Sequence, residues 1–167
     1  MASAGTVYSA GFVYGTDPYR FGNGVTAAGT SIDGNIVLVK YNSSGVAQWA
    51  RTVTAGGYDS GFDSVSVSSD GSVYAAGYIF GTGTFNFGNS VTAAGASGVH
   101  NMVLVKYDSS GVAQWARTVT VGSSYSWFNG VSVASDGSAY AAGNITGTGT
   151  YDFGNSVTAT GTSGYRN

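Results

Sequence analysis

The sequence contains no cysteine and only one proline in 167 residues, and charged residues make up just 8% of it. Without cysteine, the chain forms neither a disulfide framework nor a thiolate metal site. Its six Lys and Arg residues are spread out, which argues against the clustered basic surface of a nucleic-acid-binding protein. No apolar run approaches the ~20 residues of a membrane-spanning helix.

Glycine and aromatic residues are abundant instead. The chain holds 28 Gly, 12 Tyr and 8 Phe, and hydrophobic residues reach 43%. Low charge together with low hydrophobicity would indicate disorder, whereas low charge with many Tyr, Val and Phe favours strands and packed turns. The residues typical of long helices, Leu, Glu, Lys and Arg, are scarce. We therefore predict an all-β domain, for which this length is sufficient to form a core.

The N-terminal segment shows no signal peptide, because residues 1–5 lack a basic start and an apolar stretch. The Gly-, Ser-, Thr- and Tyr-rich composition still favours an extracellular or cell-surface protein whose leader is absent from this chain. A cytoplasmic location is the alternative. The absence of cysteine fits either compartment, because a domain of this size needs no disulfide.

Most of the sequence is written twice. Residues 36–101 align without a gap to residues 102–167, and 47 of the 66 aligned positions are identical. The earlier residues fit the same frame, since residues 7–11 match residues 73–77. The chain therefore holds about two and a half copies of one unit, and a period of this length indicates a repeat architecture.

Each unit carries four segments with period-two alternation, which predicts four strands, named A to D. In the central copy they span residues 62–69, 72–79, 102–107 and 112–119. Asp70-Gly71 and Ser110-Gly111 predict the A–B and C–D hairpin turns, because Asp and Ser cap backbone N–H groups and Gly supplies a positive φ. The longer B–C link predicts a small extra hairpin, in which Phe85 and Phe87 face Val91 and Ala93.

Four antiparallel strands per repeat are typical of a β-propeller blade. We predict one propeller-like repeat domain over residues 1–167, with the strand order B-C-D, A-B-C-D, A-B. Residues 1–61 then form a partial blade, residues 62–127 a complete blade and residues 128–167 a second partial blade. The alternative is a β-solenoid, which would require parallel pairing between equivalent strands of successive repeats.

Two segments of the unit resemble the bacterial SBBP-type β-propeller repeat. Residues 70–77 read Asp-Gly-Ser-Val-Tyr-Ala-Ala-Gly, and residues 103–118 contain a strand reaching Lys106, a Gly turn and a strand bearing Trp115. The family pattern has the same order: D-x-G-N-x-Y-x-x-G, a strand ending in Lys, a Gly turn and an aromatic-bearing strand. The resemblance spans nearly the whole chain. It implies a propeller in a secreted or surface protein, and no catalytic residues, because the family shares none.

The sequence predicts no catalytic site, metal site or cofactor. His100 is the only histidine, its counterparts are Gly34 and Arg166, and we predict an exposed loop position for it. Asp70 and Asp136 stand at hairpin turns without a D-x-D-x-D-G pattern, which favours turn capping over Ca²⁺ binding. We therefore predict a protein that is not an enzyme.

Three residue types recur in register and are interpreted as structural. The aliphatic stems of Lys40 and Lys106, and of Arg51 and Arg117, are expected to cover neighbouring Trp and Tyr rings, with the charged heads in solvent or paired with Asp. The tryptophans of strand D are expected to pack between blades; they are Trp49 and Trp115.

The copies differ most in the D–A links, residues 55–64 and 121–130, where seven of the 19 mismatches fall. Exposed Tyr and Trp beside Asn and Asp suit stacking and hydrogen bonding to sugars or peptides. The candidate ligand-binding residues are Tyr58, Phe62, Tyr125, Trp127 and Asn129. The alternative is neutral drift in loops, with Trp127 and Phe128 packed between blades.

The strand order leaves the first and last blades incomplete, and unpaired strand edges favour pairing with other copies of the chain. We therefore predict a homo-oligomer, as a closed ring or a filament. The function predicted from sequence is a non-enzymatic structural or interaction module of a secreted or surface protein that self-assembles through incomplete blades. The alternative is a lectin-like propeller that binds carbohydrate through the loops between blades; a protein ligand, too, fits these loops.

Overall fold

The chain is an all-β protein built from antiparallel sheets of two to four strands, none of them closed. The computed structural model describes residues 5–167, and no helix occurs among them. This part of the chain accordingly offers no helical segment for crossing a membrane. All strand pairs between residues 5 and 167 are antiparallel, so the parallel pairing that a β-solenoid requires is not found there.

The first sheet has three long strands and one added hairpin. Its strands β1 (Val7–Tyr14), β4 (Gly34–Tyr41) and β5 (Ala47–Arg51) lie side by side in chain order. The hairpin between β1 and β4 consists of β2 (Tyr19–Gly22) and β3 (Val25–Ala27). The strands correspond to B, C and D of the unit.

The second sheet contains all four strands of a unit, in the order A-B-C-D. They are β6 (Ser60–Val67), β7 (Val73–Phe80), β10 (His100–Tyr107) and β11 (Ala113–Thr118). The four strands predicted for the central copy are thus confirmed, with ends that shift by up to two residues. The third sheet pairs β12 (Ser126–Val133) with β13 (Ala139–Ile145), which correspond to A and B.

The predicted hairpin turns are also present. Gly71 and Gly111 have φ angles of 84° and 81°, a conformation that glycine adopts without strain. The Asp70 carboxylate accepts a hydrogen bond from the Ser72 backbone N–H at 2.8 Å. Hydrogen bonds from the Ser68 hydroxyl and from Ser72 lower the pKa of Asp70 to about 2. The aspartate therefore caps the turn, as expected from its position.

The extra hairpin of the B–C link is confirmed as β8 (Thr84–Asn86) and β9 (Thr92–Ala94), and its counterpart in the third unit is β14 (Thr150–Asp152) with β15 (Thr158–Thr160). Phe85 pairs with Ala93 across it. Phe85 and Phe87 are both buried. An antiparallel bridge from Ala55 to Asn86 ties this hairpin to the D–A link of the preceding unit.

The three sheets pack against one another in chain order. The largest apolar core lies between the first and second sheets, where Ile36 and Leu38 meet Phe62 and Tyr107. A smaller core between the second and third sheets contains Met102, Val119, Ile145 and Tyr151. This arrangement covers both faces of β7, which explains why six of its eight residues from Val73 to Phe80 are buried and the other two are half-buried.

Neighbouring A strands are also joined directly. The Ser64 hydroxyl accepts a hydrogen bond from the Val131 N–H at 3.1 Å, and the Ser66 hydroxyl accepts one from the Val133 N–H at 3.2 Å. Side chains of β6 therefore bond the backbone of β12, which fixes the third sheet relative to the second along this line.

The cationic side chains lie against aromatic rings as predicted, but the contacts found are those of their charged groups, where the sequence predicted the aliphatic stems. Lys40 and Lys106 lie 5.7 and 5.4 Å from the ring centroids of a tyrosine, and Arg51 and Arg117 lie 5.2 and 5.6 Å from those of a tryptophan. The hydrogen-bond partners of Lys40 and Arg51 also differ from the prediction. Lys40 and Arg51 donate to backbone carbonyls of the next unit, at Ser109, Ser110 and Gly111, and not to an aspartate.

Candidate functional site

A cleft of about 480 Å³ opens between the second and third sheets. The second sheet contributes one lining side chain each from β6, β7 and β10. The other lining side chains lie in β12, just before β12, or after β13. The cleft combines aromatic rings with hydrogen-bonding and charged groups, which is the mixture that small polar ligands require. The lining residues are Asp63, Tyr78, His100, Tyr125, Trp127, Asn129, Thr146 and Arg166.

Two repeated polar residues hold the walls of the cleft in place. The buried Asn101 side chain accepts hydrogen bonds from the Ala96 and Ser97 N–H groups and donates to the Val99 carbonyl, which fixes the loop entering β10. The buried Ser126 hydroxyl accepts a hydrogen bond from the Met102 N–H at 3.1 Å. These contacts hold the start of β10 beside the start of β12, and so place His100 opposite Tyr125.

His100 is the central side chain of the cleft, and not the exposed loop residue expected from the sequence. It is the first residue of β10 and is half-buried. Its imidazole stacks on Tyr78, with ring centroids 4.4 Å apart and an interplanar angle of 25°. The Tyr125 ring approaches edge-on at 5.5 Å. His100 Nε2 lies 3.8 Å from the Asp59 carboxylate, which also accepts a hydrogen bond from the Tyr78 hydroxyl.

The opposite wall is formed by Trp127 and the polar groups around it. The Arg166 guanidinium lies 4.9 Å from the centroid of the Trp127 ring, a distance typical of cation–π attraction. Asn129 accepts a hydrogen bond from the Asn144 side chain and is exposed. This wall therefore presents an apolar ring beside a side-chain amide and a guanidinium.

Burial and charge act in opposite directions on the pKa values of His100 and Asp63, and in the same direction on that of Tyr78. Burial lowers the pKa of His100, and the carboxylates of Asp59 and Asp63 oppose this effect. Desolvation raises the pKa of Asp63, opposed by His100. Burial, followed by the charge of Asp59, raises the pKa of the Tyr78 hydroxyl. At neutral pH these shifts favour an uncharged imidazole and a protonated tyrosine.

We expect His100 to titrate below 6.5 in the folded chain, because burial disfavours its charged form. The unfolded chain then takes up a proton at higher pH than the folded chain does. The contribution of His100 to the free energy of unfolding is therefore lost as the pH falls from above 6.5 through the folded-state pKa. Since His100 is the only histidine, its imidazole NMR signals measure the pKa directly.

The Asp59→Asn variant is the matched test, because it removes the carboxylate nearest to the imidazole while keeping a similar shape. In this variant the pKa of His100 is expected to fall further, since the charge of Asp59 raises it. A pKa at or above 6.5 in the unchanged chain, or no response to Asp59→Asn, would contradict this account of the cleft.

Three of the five candidate ligand-binding residues from the sequence lie in the cleft: Tyr125, Trp127 and Asn129. Phe62 does not line it, because this side chain is only 2% exposed in the core between the first and second sheets. Tyr58 is exposed but lies elsewhere, packed beside Phe80 with ring centroids 6.3 Å apart. Phe128 packs against the smaller core, as the alternative interpretation of the links predicted. Its neighbour Trp127 lines the cleft instead.

Sequence reasoning missed Asp63, Tyr78, His100, Thr146 and Arg166, although a signal was available. Every cleft residue stands at a position where the two long copies differ. The differing pairs that contribute at least one residue to the cleft are Asp59/Tyr125, Gly61/Trp127, Asp63/Asn129, Tyr78/Asn144, Phe80/Thr146 and His100/Arg166. Divergence that is scattered along the sequence therefore converges in space on one site.

Comparison with models of known protein families gave no match, and comparison with curated proteins gave none either. No group of three or more His, Cys, Asp or Glu side chains that could hold a metal ion occurs within residues 5–167.

Proposed function

We propose that the chain is a non-enzymatic binding module of a secreted or cell-surface protein, and that its three sheets are successive blades of an open, propeller-like array. The support for the array is the A-B-C-D order of the second sheet and the packing of the sheets in chain order. The serine-to-backbone bonds between β6 and β12 also favour a repeated arrangement of A strands. The SBBP-type resemblance belongs to this proposal and rests on the sequence motifs alone.

The ligand that fits the cleft best is a carbohydrate. The observation that carries this assignment is the set of aromatic rings, Trp127, Tyr125 and Tyr78, placed beside Asn129 and Arg166 in one cleft. Aromatic faces accept the C–H surface of a sugar ring, and amide and guanidinium groups bond its hydroxyls. At the junction between the first and second units, the positions of Tyr125, Trp127 and Thr146 are taken by Asp59, Gly61 and Phe80. The set of aromatic and polar side chains is therefore specific to the junction between the second and third units.

The same cleft gives little support to catalysis. His100 and Asp59 are 3.8 Å apart, which is longer than the hydrogen bond of a general base and its orienting group. Cysteine is absent from the sequence, and His100 is its only histidine. A ligand held by stacking and hydrogen bonds is therefore favoured over a substrate that is turned over.

A glycan array probed with the purified chain tests the proposed function. We expect saturable binding to a restricted set of oligosaccharides, because one cleft with fixed polar groups selects among hydroxyl arrangements. Free oligosaccharide should compete for the same sites. The absence of detectable binding across a broad array, or the turnover of a bound glycan, would overturn the proposal.

A second candidate function, self-association, is favoured by the exposure of equivalent residues. Val73 in β7 is fully buried, whereas its counterpart Val7 in β1 is 54% exposed. Tyr74 is 5% exposed, whereas its counterpart Tyr140 in β13 is 65% exposed. These two side chains, which the second sheet buries, thus have exposed counterparts on the first sheet and on the third sheet. Burying apolar surface of this kind is the usual driving force for association.

Sedimentation of the purified chain over a range of micromolar concentrations tests the second candidate. We expect species larger than the 16.8 kDa monomer, in proportions that rise with concentration. A monomer at all concentrations would remove self-association and leave the carbohydrate proposal untouched.

A further inference from the structure

The Arg166 side chain carries a guanidinium whose hydrogen-bonding groups are free. It lies 4.9 Å from the centroid of the Trp127 ring and has no hydrogen-bond acceptor and no ion-pair partner among residues 5–167. Arg51 differs, because it donates to three backbone carbonyls, and Arg117 donates to one. The N–H groups of Arg166 are therefore available to a ligand in the cleft.

The contact between Trp127 and Arg166 is not part of the repeated unit. In the preceding unit their positions are taken by Gly61 and His100. The tryptophan–arginine contacts of strand D, by contrast, recur in both units at the same sequence spacing. Two separate differences between the copies thus meet at one point, and that point lies in the cleft. The pair is therefore a feature of the cleft and not of the packing that every unit shares.

The carboxylates near the cleft belong to the opposite wall and do not neutralise Arg166. Asp59 lies 3.8 Å from His100 Nε2 and accepts a hydrogen bond from the Tyr78 hydroxyl. Asp63 lines the cleft from the second sheet. Burial raises the pKa of Asp63, and the charge that opposes this effect is that of His100. One wall thus presents carboxylate acceptors, and the other presents an uncompensated positive charge.

A free guanidinium beside an indole suits a sugar that carries an anionic group. Two parallel N–H groups of an arginine bond both oxygens of a carboxylate, and the same planar arrangement suits other oxyanions. The indole accepts the C–H face of the sugar ring. A ligand that fills a cleft of about 480 Å³ contacts both walls, so one sugar chain meets Trp127 and Arg166 together.

We propose that Arg166 selects acidic oligosaccharides, in which a sugar unit carries a carboxylate or a sulfate group. The anionic group binds the guanidinium, the ring of that unit lies against Trp127, and sugar hydroxyls donate to Asp63. The inference rests on the proposed carbohydrate binding and names the ligand class. The unlike charges of the two walls also orient the ligand, with its acidic group towards the third sheet.

Glycans in matched sets test the ligand class. Each set has one sugar chain with a hexose, the corresponding hexuronic acid or the sulfated hexose at a single position. We expect the unchanged protein to bind an acidic member about tenfold more tightly than the neutral parent in titration calorimetry. The carboxylated and sulfated members show which anionic group is preferred. Added salt should reduce the difference, because Arg166 is exposed and its charge is screened.

Three variants assign the preference to Arg166. Arg166→Gln removes the charge and keeps a hydrogen-bonding amide, so the preference should disappear while the affinity for the neutral parent stays within about twofold. Arg166→Lys keeps the charge without the planar guanidinium and should retain part of the preference. Arg117→Gln is the matched control, because Arg117 is also exposed and lies 5.6 Å from a tryptophan ring, but outside the cleft. It should leave the preference unchanged.

The outcomes separate the ligand class from the proposed function. If the unchanged protein binds acidic and neutral members equally well, selection by Arg166 is overturned while carbohydrate binding stands. If the preference survives Arg166→Gln, or is lost equally in Arg117→Gln, the anionic group is not held by Arg166 and the inference is overturned. If no member of any set binds, the proposed function and the inference fall together.

Discussion

Replacing Trp127 with alanine is expected to abolish most of the carbohydrate binding that we propose for the cleft, with a loss of about 2 kcal/mol or roughly 30-fold in Kd. The indole is the largest aromatic side chain among the residues that line the cleft, and it lies 4.9 Å from the Arg166 guanidinium. Its removal takes away the stacking face and releases the arginine from its position. Titration calorimetry with a glycan identified on the array measures the loss.

Two further variants make the Trp127 result specific. Trp127→Phe retains an aromatic face and should keep part of the affinity. Tyr58→Ala removes an exposed aromatic side chain of the preceding D–A link, which lies outside the cleft, and should leave the affinity unchanged. The ligand would have to bind elsewhere if Trp127→Ala and Tyr58→Ala lost affinity equally. The same would follow if Trp127→Ala kept both its fold and its full affinity.

Replacing Gly77 with alanine is expected to destabilise the fold by about 3 kcal/mol. Gly77 lies in β7 opposite the bulge of β6 between Phe62 and Ser64. A Cβ atom at residue 77 would lie 2.0 Å from the Gly61 carbonyl oxygen and 2.8 Å from the Phe62 Cα. Both are backbone atoms, so the added methyl group fits only if β6 moves away from β7. Urea unfolding measures the change in free energy.

Gly11→Ala is the matched control, because Gly11 is the counterpart of Gly77 in β1. A Cβ atom there meets nothing within 4 Å, since β1 has no A strand beside it among the described residues. The change in unfolding free energy should stay within about 0.5 kcal/mol. Equal destabilisation by Gly11→Ala and Gly77→Ala would contradict the difference in strand pairing between the first and second sheets.

The strands and turns could be predicted because local rules govern them. Period-two alternation located β6, β7, β10 and β11, and the Asp-Gly and Ser-Gly pairs located their hairpins. Phe85 and Phe87 were correctly placed in an extra hairpin for the same reason. In each case the deciding contacts are between residues close together in sequence, and the backbone has few alternatives.

The cleft could be predicted only in part, because it forms between units. Tyr125, Trp127 and Asn129 stand out as changes within one link, whereas Tyr78 and His100 precede that link by more than 20 residues in the sequence. His100 looked like a loop residue because its counterparts are glycine and arginine, and its strand begins two residues earlier than the alternation indicated. Phe62 looked exposed because its own link is polar, while the first sheet that buries it is distant in sequence.

The central claim is that the cleft between the second and third sheets binds carbohydrate, and His100 reports on it directly. Its imidazole is the only one in the sequence and lies against Tyr78 and Tyr125 in that cleft. Titration of the chain with a glycan selected on the array is predicted to shift the imidazole NMR signals in a saturable manner, with the Kd found by calorimetry. The same titration of Trp127→Ala should give a much weaker response. Saturable glycan binding that leaves the His100 signals unmoved would contradict the account.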